Sequence, residues 1–332
     1  MAVIEAQHLG KTFGSKPAVV DLSFVVRPGS VTGFLGPNGS GKSTTMRLML
    51  GLDRGEGRTT FDGKAFGQIK HPMRHVGALL EAKPFHPTRH ARNHLRMLAV
   101  ANQIPTSRVD EVLDMVGLTS VASGKPKKFS MGMGQRLGIA AALLGDPHTL
   151  ILDEPSNGLD PQGITWLRNL LKHLAGEGRS VFVSSHLLQE MAVLADDLVV
   201  IGRGTMLANG KVSDFVHRST RGTVHVISPD SSLLVPAITA LGGTVTGDTV
   251  TGGTLAGDTV TGGTLAGDAV TGDAVNGEEV ELTITGLTAE QIGDAAHEVQ
   301  ARIHQLVTKD ATLEEAFLDA TGLSEEFKGG AV

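Results

Sequence analysis

The sequence predicts an α/β fold in which a largely parallel sheet is joined by an antiparallel β subdomain and a helical subdomain, followed by a small C-terminal α+β domain. Three observations lead to this fold. A glycine-rich turn at residues 36–44 stands between an apolar strand and a helix, helices alternate with strands over residues 135–201, and the composition changes near residue 220. Such alternation is typical of a parallel sheet. We therefore expect two domains, residues 1–215 and 216–332.

The elements of the first domain follow from local patterns. Residues 3–6 and 18–26 have strand composition and are separated by a turn at residues 14–17, which indicates antiparallel strands. Apolar residues recur at helical spacing within residues 90–120, which predicts a helical insert. The remaining elements are strands at 31–35, 149–152, 181–184 and 198–201, and helices at 42–51, 135–144, 163–174 and 188–195.

The second domain has the pattern of an α+β sandwich, for which a ferredoxin-like arrangement is one candidate. Its predicted strands are 223–227, 280–284 and 303–307, and its predicted helices are 233–241 and 289–300. A Thr/Gly-rich loop at about 244–278 interrupts it, where the ten residues 248–257 are copied at 258–267. Calcium-binding β-roll turns repeat every nine residues with another glycine pattern, so we favour an expanded hairpin loop.

Composition excludes several classes of protein. The 332 residues contain no cysteine, which excludes a disulfide framework, thiolate catalysis and cysteine-ligated zinc. A net charge of −6 argues against a surface that coats nucleic acid, so no direct nucleic-acid partner is expected. No apolar run approaches the ~18–20 residues of a membrane span, and the first residues do not resemble a secretory signal. We expect a cytoplasmic chain.

The turn at residues 36–44 is a complete phosphate-binding loop of the form G-x-x-x-x-G-K-[ST]. Its members are Gly36, Pro37, Asn38, Gly39, Ser40, Gly41, Lys42, Ser43 and Thr44. In this strand-to-helix context the backbone N–H groups of residues 39–43 can wrap a β-phosphate at the positive end of the helix dipole. Lys42 then reaches the β/γ oxygens and the Ser43 hydroxyl is free for Mg²⁺. The loop predicts binding of a nucleoside triphosphate.

A pair of acids ends the apolar strand 149–152. In nucleotide hydrolases of this kind the first acid, here Asp153, holds Mg²⁺ and the second, here Glu154, polarises the attacking water. The pair alone is a weak signal, because many buried strands end in an acidic turn. Residues 129–136 before it and 155–160 after it make the signal specific.

With these motifs in this order, residues 1–215 resemble the ATP-binding subunit of an ABC transporter. The resemblance implies that ATP and Mg²⁺ are the cofactors, with Glu154, His186 and Lys42 as catalytic residues. It implies that Phe13 stacks on adenine, and that Ser130 and Gly132 form the signature that contacts the γ-phosphate held by an opposite subunit. The site is then composite, which implies a homodimer or a pair with a related ATPase. Residues 156–160 resemble the D-loop that crosses this interface.

Two departures from the family pattern matter. The usual signature Leu-Ser-Gly-Gly-Gln is here Phe-Ser-Met-Gly-Met, so the serine and second glycine remain but the last side chain cannot donate a hydrogen bond. Glu81 stands where the family has a glutamine. Its carboxylate is either a ligand of Mg²⁺, direct or through water, or a solvated loop acid.

The resemblance also implies a partner. Residues 82–97 correspond to the part that receives a coupling helix from a separate integral-membrane permease, which places the chain peripherally at the inner face of the cell membrane. Residues 129–147 and 309–317 resemble the ATPases of bacterial type-2 exporters, which commonly export drugs, antibiotics or other amphiphiles. Two alternatives stay open: a soluble ABC ATPase that acts on a macromolecular machine, and a small-molecule kinase.

Overall fold

A computed structural model describes residues 3–81, 85–219, 223–250, 259–260 and 279–309. The described residues divide into two compact units, one ending at Val212 and one beginning at Ser213. Most of the ten-residue repeat, the run 310–317 and residues 82–84 of the predicted permease-facing segment lie outside the described residues. Within the described ranges, no helix is both long enough and apolar enough to cross a membrane.

The first unit contains two sheets and the helices that cover them. Its strands are β1 (Ile4–Phe13), β2 (Lys16–Val26), β3 (Ser30–Leu35), β4 (Glu56–Phe61), β5 (Val76–Leu79), β6 (Thr149–Leu152), β7 (Ser180–Ser185), β8 (Asp197–Gly202) and β9 (Thr205–Lys211). Its helices are α1 (Lys42–Met49), α2 (Ala91–Ala101), α3 (Arg108–Met115), α4 (Met131–Leu143), α5 (Pro161–Gly176) and α6 (Leu188–Leu194).

The larger sheet has six strands in the order β5-β6-β7-β3-β8-β9, and its first five are parallel. Its central strands are buried along their whole length because helices cover the sheet, as parallel sheets require. This confirms the predicted parallel sheet. Two strands of this sheet escaped prediction: β5, which has four residues, and β9, an antiparallel edge strand whose residues are half-exposed and lack a strong apolar pattern.

The antiparallel β subdomain is a three-stranded sheet in the order β2-β1-β4. Three aromatic rings join it to the larger sheet: Phe24 lies 5.3 Å from Phe182, which lies 5.0 Å from Phe34, measured between ring centroids. All three side chains are buried, so they contribute both apolar burial and ring contacts to the shared core. The helical subdomain consists of α2, α3 and the start of α4, which pack on one another.

The second unit is a two-layer α+β sandwich. Its elements are α7 (Val212–Ser219), which begins at the last residue of the first unit, β10 (Thr223–Ser228), α8 (Ser231–Ala240), β11 (Thr244–Val250), β12 (Thr259–Val260), β13 (Val280–Thr285), α9 (Ala289–Glu298) and β14 (Gln305–Lys309). The antiparallel sheet has the order β12-β11-β13-β10-β14, and α8 and α9 bury Ile238 and Ile292 against it. Apart from α7 and the short β12, this is the β-α-β-β-α-β order of a ferredoxin-like fold.

Candidate functional site

The loop of residues 36–41 connects β3 to α1, and steric limits at its two ends require glycine. A Cβ added to Gly36 would lie 2.5 Å from the carbonyl oxygen of Ile201. A Cβ added to Gly41 would lie 2.5 Å from the carbonyl oxygen of Ala18, and the φ of Gly41 is +108°. The backbone therefore follows a path that a side chain would obstruct, with its N–H groups leading into the start of α1.

The rest of the loop presents an open surface. Asn38, Gly39 and Ser43 are exposed, Pro37 and Thr44 are half-buried, and Ser40 is buried. A Cβ added to Gly39 would meet no atom within 4 Å. The Ser43 hydroxyl, predicted to contact Mg²⁺, is thus on the accessible side of the loop.

Lys42 points back into its own loop. Its side chain is only 6% exposed, and Nζ donates hydrogen bonds to the carbonyl oxygens of Gly36 at 2.6 Å and Pro37 at 3.3 Å. The same Nζ lies 3.3 Å from Oε1 of Glu154. The ammonium group therefore contacts two loop carbonyl oxygens and the carboxylate of Glu154.

Glu154 lies at the convergence of three elements, just beyond the end of β6. Its N–H donates to Oγ of Ser184 in β7 at 2.8 Å, and its carbonyl oxygen accepts from Nε2 of Gln135 in α4 at 3.3 Å. Its Oε2 lies 2.8 Å from Nδ1 of His186. Ser184 also donates its hydroxyl proton to Oδ1 of Asp153. The structure thus brings together the acid pair, the histidine and the loop lysine named from sequence.

Two buried oxygens in this region have no hydrogen-bond partner: Ser40 Oγ and Glu154 Oε1. The Oε1 contact with Lys42 is an ion pair that lies outside hydrogen-bond geometry. Unsatisfied buried polar atoms are rare in folded proteins and fit a site that a polar ligand completes. Among the residues that the structure describes, no three His, Asp or Glu side chains form a ready metal cluster. Mg²⁺ is usually held by one or two carboxylates together with substrate phosphates, which this donor set allows.

The predicted signature occupies the start of α4. Ser130 is exposed and its Oγ accepts a hydrogen bond from the Met133 N–H at 3.1 Å, so it caps the helix. Gly132 packs against the chain at Gly158, where a Cβ on Gly132 would lie 3.0 Å from the carbonyl oxygen. The signature therefore touches its own D-loop, and among the described residues no hydrogen bond joins it to the phosphate loop.

Phe13 lies at the tip of the β1–β2 hairpin, where it pairs with Lys16. Its side chain is 53% exposed and Lys11 Nζ lies 4.9 Å above the ring centroid. The other strand of the hairpin contacts the phosphate loop at Gly41. The ring is thus accessible on a strand pair that borders the loop.

Glu81 follows β5 and is exposed. A hydrogen bond from Arg47 to Asp53, the charge of Asp53 and, more weakly, the charge of Glu81 together raise the pKa of Arg47. Glu81 also borders a groove of about 760 Å³ in the first unit. The groove is lined by apolar side chains, among them Leu50, Phe66, Leu80, Phe85, Met97 and Leu98. Its charged members are Arg47, Glu81 and Arg89.

Sequence reasoning missed two residues that hold the acid pair in place, Gln135 and Ser184. Gln135 is 2% exposed and Ser184 is fully buried. A buried amide in a helix and a buried hydroxyl at a strand end need partners. No local pattern indicates which partners they have, because Glu154 is distant from both along the chain.

Comparisons with known proteins agree with this geometry. Residues 19–157 match the family model described as ABC transporter. The uncharacterized ABC transporter ATP-binding protein YhcH of Bacillus subtilis is 40% identical over 216 residues, which are 64% of this chain and 71% of that protein. The bacitracin transport ATP-binding protein BcrA of Bacillus licheniformis is 42% identical over 62% of this chain and 68% of its own length.

A solved structure of the ATP-binding subunit of an ABC transporter superimposes with a TM-score of 0.60 at 26% identity, covering 65% of this chain and 92% of that one. The fold, the order of the motifs and the relatives all point the same way. This chain belongs to the ATP-binding subunits of ABC transporters, ATPases that use ATP and Mg²⁺.

Proposed function

We propose that this chain powers a separate membrane permease by ATP hydrolysis, with residues 1–215 as the ATPase domain and 216–332 as an accessory domain. The observation that carries the proposal is the contact of Glu154 with both Lys42 and His186 beside a phosphate-binding loop. Those three side chains are the ones that phosphoryl transfer to water needs: a cation on the phosphates, a water-orienting acid and a polar group for the γ-phosphate.

Each residue has a defined part in the proposed reaction. The loop N–H groups and Lys42 bind the phosphates, and Lys42 leaves Glu154 when it does so. The freed Glu154 carboxylate orients the attacking water and accepts its proton, while His186 contacts the γ-phosphate. Mg²⁺, when bound, neutralises charge that develops on the phosphates. Asp153 and Ser43 would hold the Mg²⁺, with Glu81 as a further candidate ligand.

The proposed active form is a pair of these subunits, either a homodimer or a pair with a related ATPase. Ser130 is exposed at the N-terminus of α4, where free N–H groups favour an anion. Because its described hydrogen bond is only to Met133 of its own helix, Ser130 is available to a γ-phosphate held by a second subunit. Phe13 would stack on the adenine of its own subunit.

The permease would dock in the apolar groove beside Glu81. The side chains Leu50, Phe66 and Met97 of the groove suit the apolar face of a short helix, and the charged residues at the rim of the groove would orient that helix. This arrangement places the subunit at the inner face of the cell membrane through its partner. Since one relative is named for bacitracin transport, we propose an antibiotic, a drug or another amphiphile as the exported cargo.

One experiment tests the proposal. Glu154→Gln should bind MgATP, hydrolyse it at least about 100-fold more slowly than wild type, in line with loss of a general base, and accumulate as an ATP-bound dimer. Lys42→Ala should lose MgATP binding and keep its fold. The trapped dimer should also retain a polytopic membrane protein when purified in detergent from its own host. Retention of a ribosome or another soluble assembly instead would favour the soluble-machine alternative.

A further inference from the structure

The backbone of Glu154 is held in an unusual conformation by two side chains to which the sequence analysis assigns no role. Its φ is +46°, in the left-handed region that non-glycine residues rarely adopt unless their surroundings hold them. Ser184 accepts from its N–H at 2.8 Å and Gln135 donates to its carbonyl oxygen at 3.3 Å. Both peptide groups that flank Glu154 are therefore fixed by hydrogen bonds.

The two side chains belong to different parts of the site. Ser184 is the penultimate residue of strand β7 and also contacts Asp153, so it belongs to the acid pair's own sheet. Gln135 lies in α4, the helix that begins just after Ser130 of the signature. Five residues of helix separate the two, about 7.5 Å along the axis at 1.5 Å per residue. A rigid helical segment thus connects the signature to the Glu154 peptide.

We propose that Gln135 is a positioning residue, which aims the Glu154 carboxylate by holding its carbonyl oxygen and couples that aim to the position of the signature helix. The proposal rests on the role of Glu154 in the proposed function. A γ-phosphate that a second subunit holds against Ser130 would shift or fix α4. Gln135 would transmit this change in α4 to Glu154 of the subunit to which Ser130 and Gln135 belong. Each subunit's general base is then set by occupancy of the opposite site.

The physical reason is geometric. Gln135 is 2% exposed, so water cannot replace its amide when it is removed. Without Gln135 the Glu154 carbonyl keeps, within the described residues, only the hydrogen bond from the Asn157 N–H of its own turn at 3.2 Å, so its peptide is less restrained and the carboxylate can move with it. A displacement of about 1 Å in a reacting group can cost about 100-fold in rate. Binding of the phosphates does not involve this peptide, so nucleotide affinity should be spared.

The test uses the full chain with Gln135→Met, which keeps side-chain length and removes the donor. We expect kcat to fall about tenfold or more while the KM for ATP rises by no more than about twofold. The matched control is Arg136→Met, the next residue of the same helix. Arg136 also donates to a backbone carbonyl, that of Val116 at 3.0 Å, but has no hydrogen bond to Glu154 among the described residues. Arg136→Met should lower the Tm without a selective loss of kcat.

A second variant covers the case in which Gln135→Met does not fold. Gln135→Glu keeps the shape, and its carboxyl can donate to the Glu154 carbonyl only when protonated. Because burial raises the pKa of a carboxyl, the ratio of its kcat to that of wild type should rise as pH falls. Using the ratio removes the pH effects that both enzymes share. A ratio that does not change with pH would contradict the proposal.

A double-mutant comparison separates this inference from the proposed function. If Gln135 acts through the Glu154 carboxylate, Gln135→Met should slow single-turnover hydrolysis in wild type but change it less than about twofold in Glu154→Gln. Equal losses in both backgrounds would make Gln135 merely structural. Normal hydrolysis by Glu154→Gln alone would refute the proposed function instead. A slow Glu154→Gln beside a Gln135→Met with wild-type kcat would refute only the role of Gln135.

Discussion

Replacing Glu154 with glutamine should tighten the binding of ADP, although the same change should stop hydrolysis. Glu154 Oε1 lies 3.3 Å from Lys42 Nζ, so the carboxylate pairs with the ammonium group that a phosphate needs. Nucleotide must displace this ion pair. Glutamine keeps the shape and can still hydrogen-bond to His186, but it removes the charge that competes for Lys42.

The size of the effect follows from the contact. Two unit charges at 3.3 Å attract by about 5 kcal/mol at an effective dielectric constant of ~20. Much of this is regained when the carboxylate, which is 17% exposed, returns to water and when Lys42 keeps its bonds to loop carbonyls. The net gain in binding free energy is then about 1.4 kcal/mol, a value between those of exposed and of fully buried ion pairs. It corresponds to an approximately tenfold lower Kd for ADP.

ADP is the suitable probe, because it is not hydrolysed and lacks the γ-phosphate that joins two subunits. Isothermal titration calorimetry with MgADP should give the Kd of wild type, Glu154→Gln and a matched control, Glu190→Gln. Glu190 accepts a hydrogen bond from Ser156 at 2.7 Å and its described contacts do not include Lys42, so its replacement removes the same charge without the competition. Equal Kd values for wild type and Glu154→Gln, or equal tightening in the control, would refute the reasoning.

Three further predictions follow from other parts of the chain. If Glu81 binds metal, Glu81→Gln should change the dependence of the ATPase rate on Mg²⁺ concentration. If Glu81 acts in the groove, the substitution should change only the hydrolysis that the permease stimulates. Superimposable curves of ATPase rate against Mg²⁺ concentration for the two forms, both with and without the permease, would show that Glu81 is a solvated acid. Hydrogen bonds from Arg302 hold the pKa of Asp230 well below its usual range, so its contribution to stability is present above pH ~3.9 and lost as pH falls towards the folded value. Asp230→Asn should therefore lower the Tm at pH 7, measured by calorimetry, by an amount that shrinks below pH ~4. Deleting residues 248–267 should leave a folded, ATP-hydrolysing chain whose Tm does not respond to Ca²⁺, and a Ca²⁺-dependent Tm lost on deletion would support a calcium-binding repeat.

The second unit shows how a fold class and its strand order differ in predictability. Strand and helix patterns from residue 223 onward were sufficient for an α+β sandwich, because each element carries its own apolar period. The order β11-β13-β10-β14 could not be read in the same way. Strand order depends on which buried faces meet, and several arrangements bury the same residues.

The phosphate loop is the part of the site that local sequence patterns are sufficient to predict. Its function depends on consecutive backbone N–H groups, a turn that only glycine allows at Gly36 and Gly41, and the helix that follows, and all of these are contiguous in the chain. The acid pair at the end of β6 is equally local. A pattern of neighbouring residues therefore predicts both.

The contacts that those residues make depend on the tertiary fold. Glu154 meets Lys42, Ser184 and Gln135 because β6, β7 and β3 are parallel neighbours whose carboxyl ends share one edge, with α4 packed beside them. Contacts between residues distant along the chain arise from the order and packing of whole elements, and no local pattern records that order. Local sequence patterns therefore predict which residues carry the chemistry. The restraints on Glu154, which we propose control that chemistry, exist only once the sheet has formed.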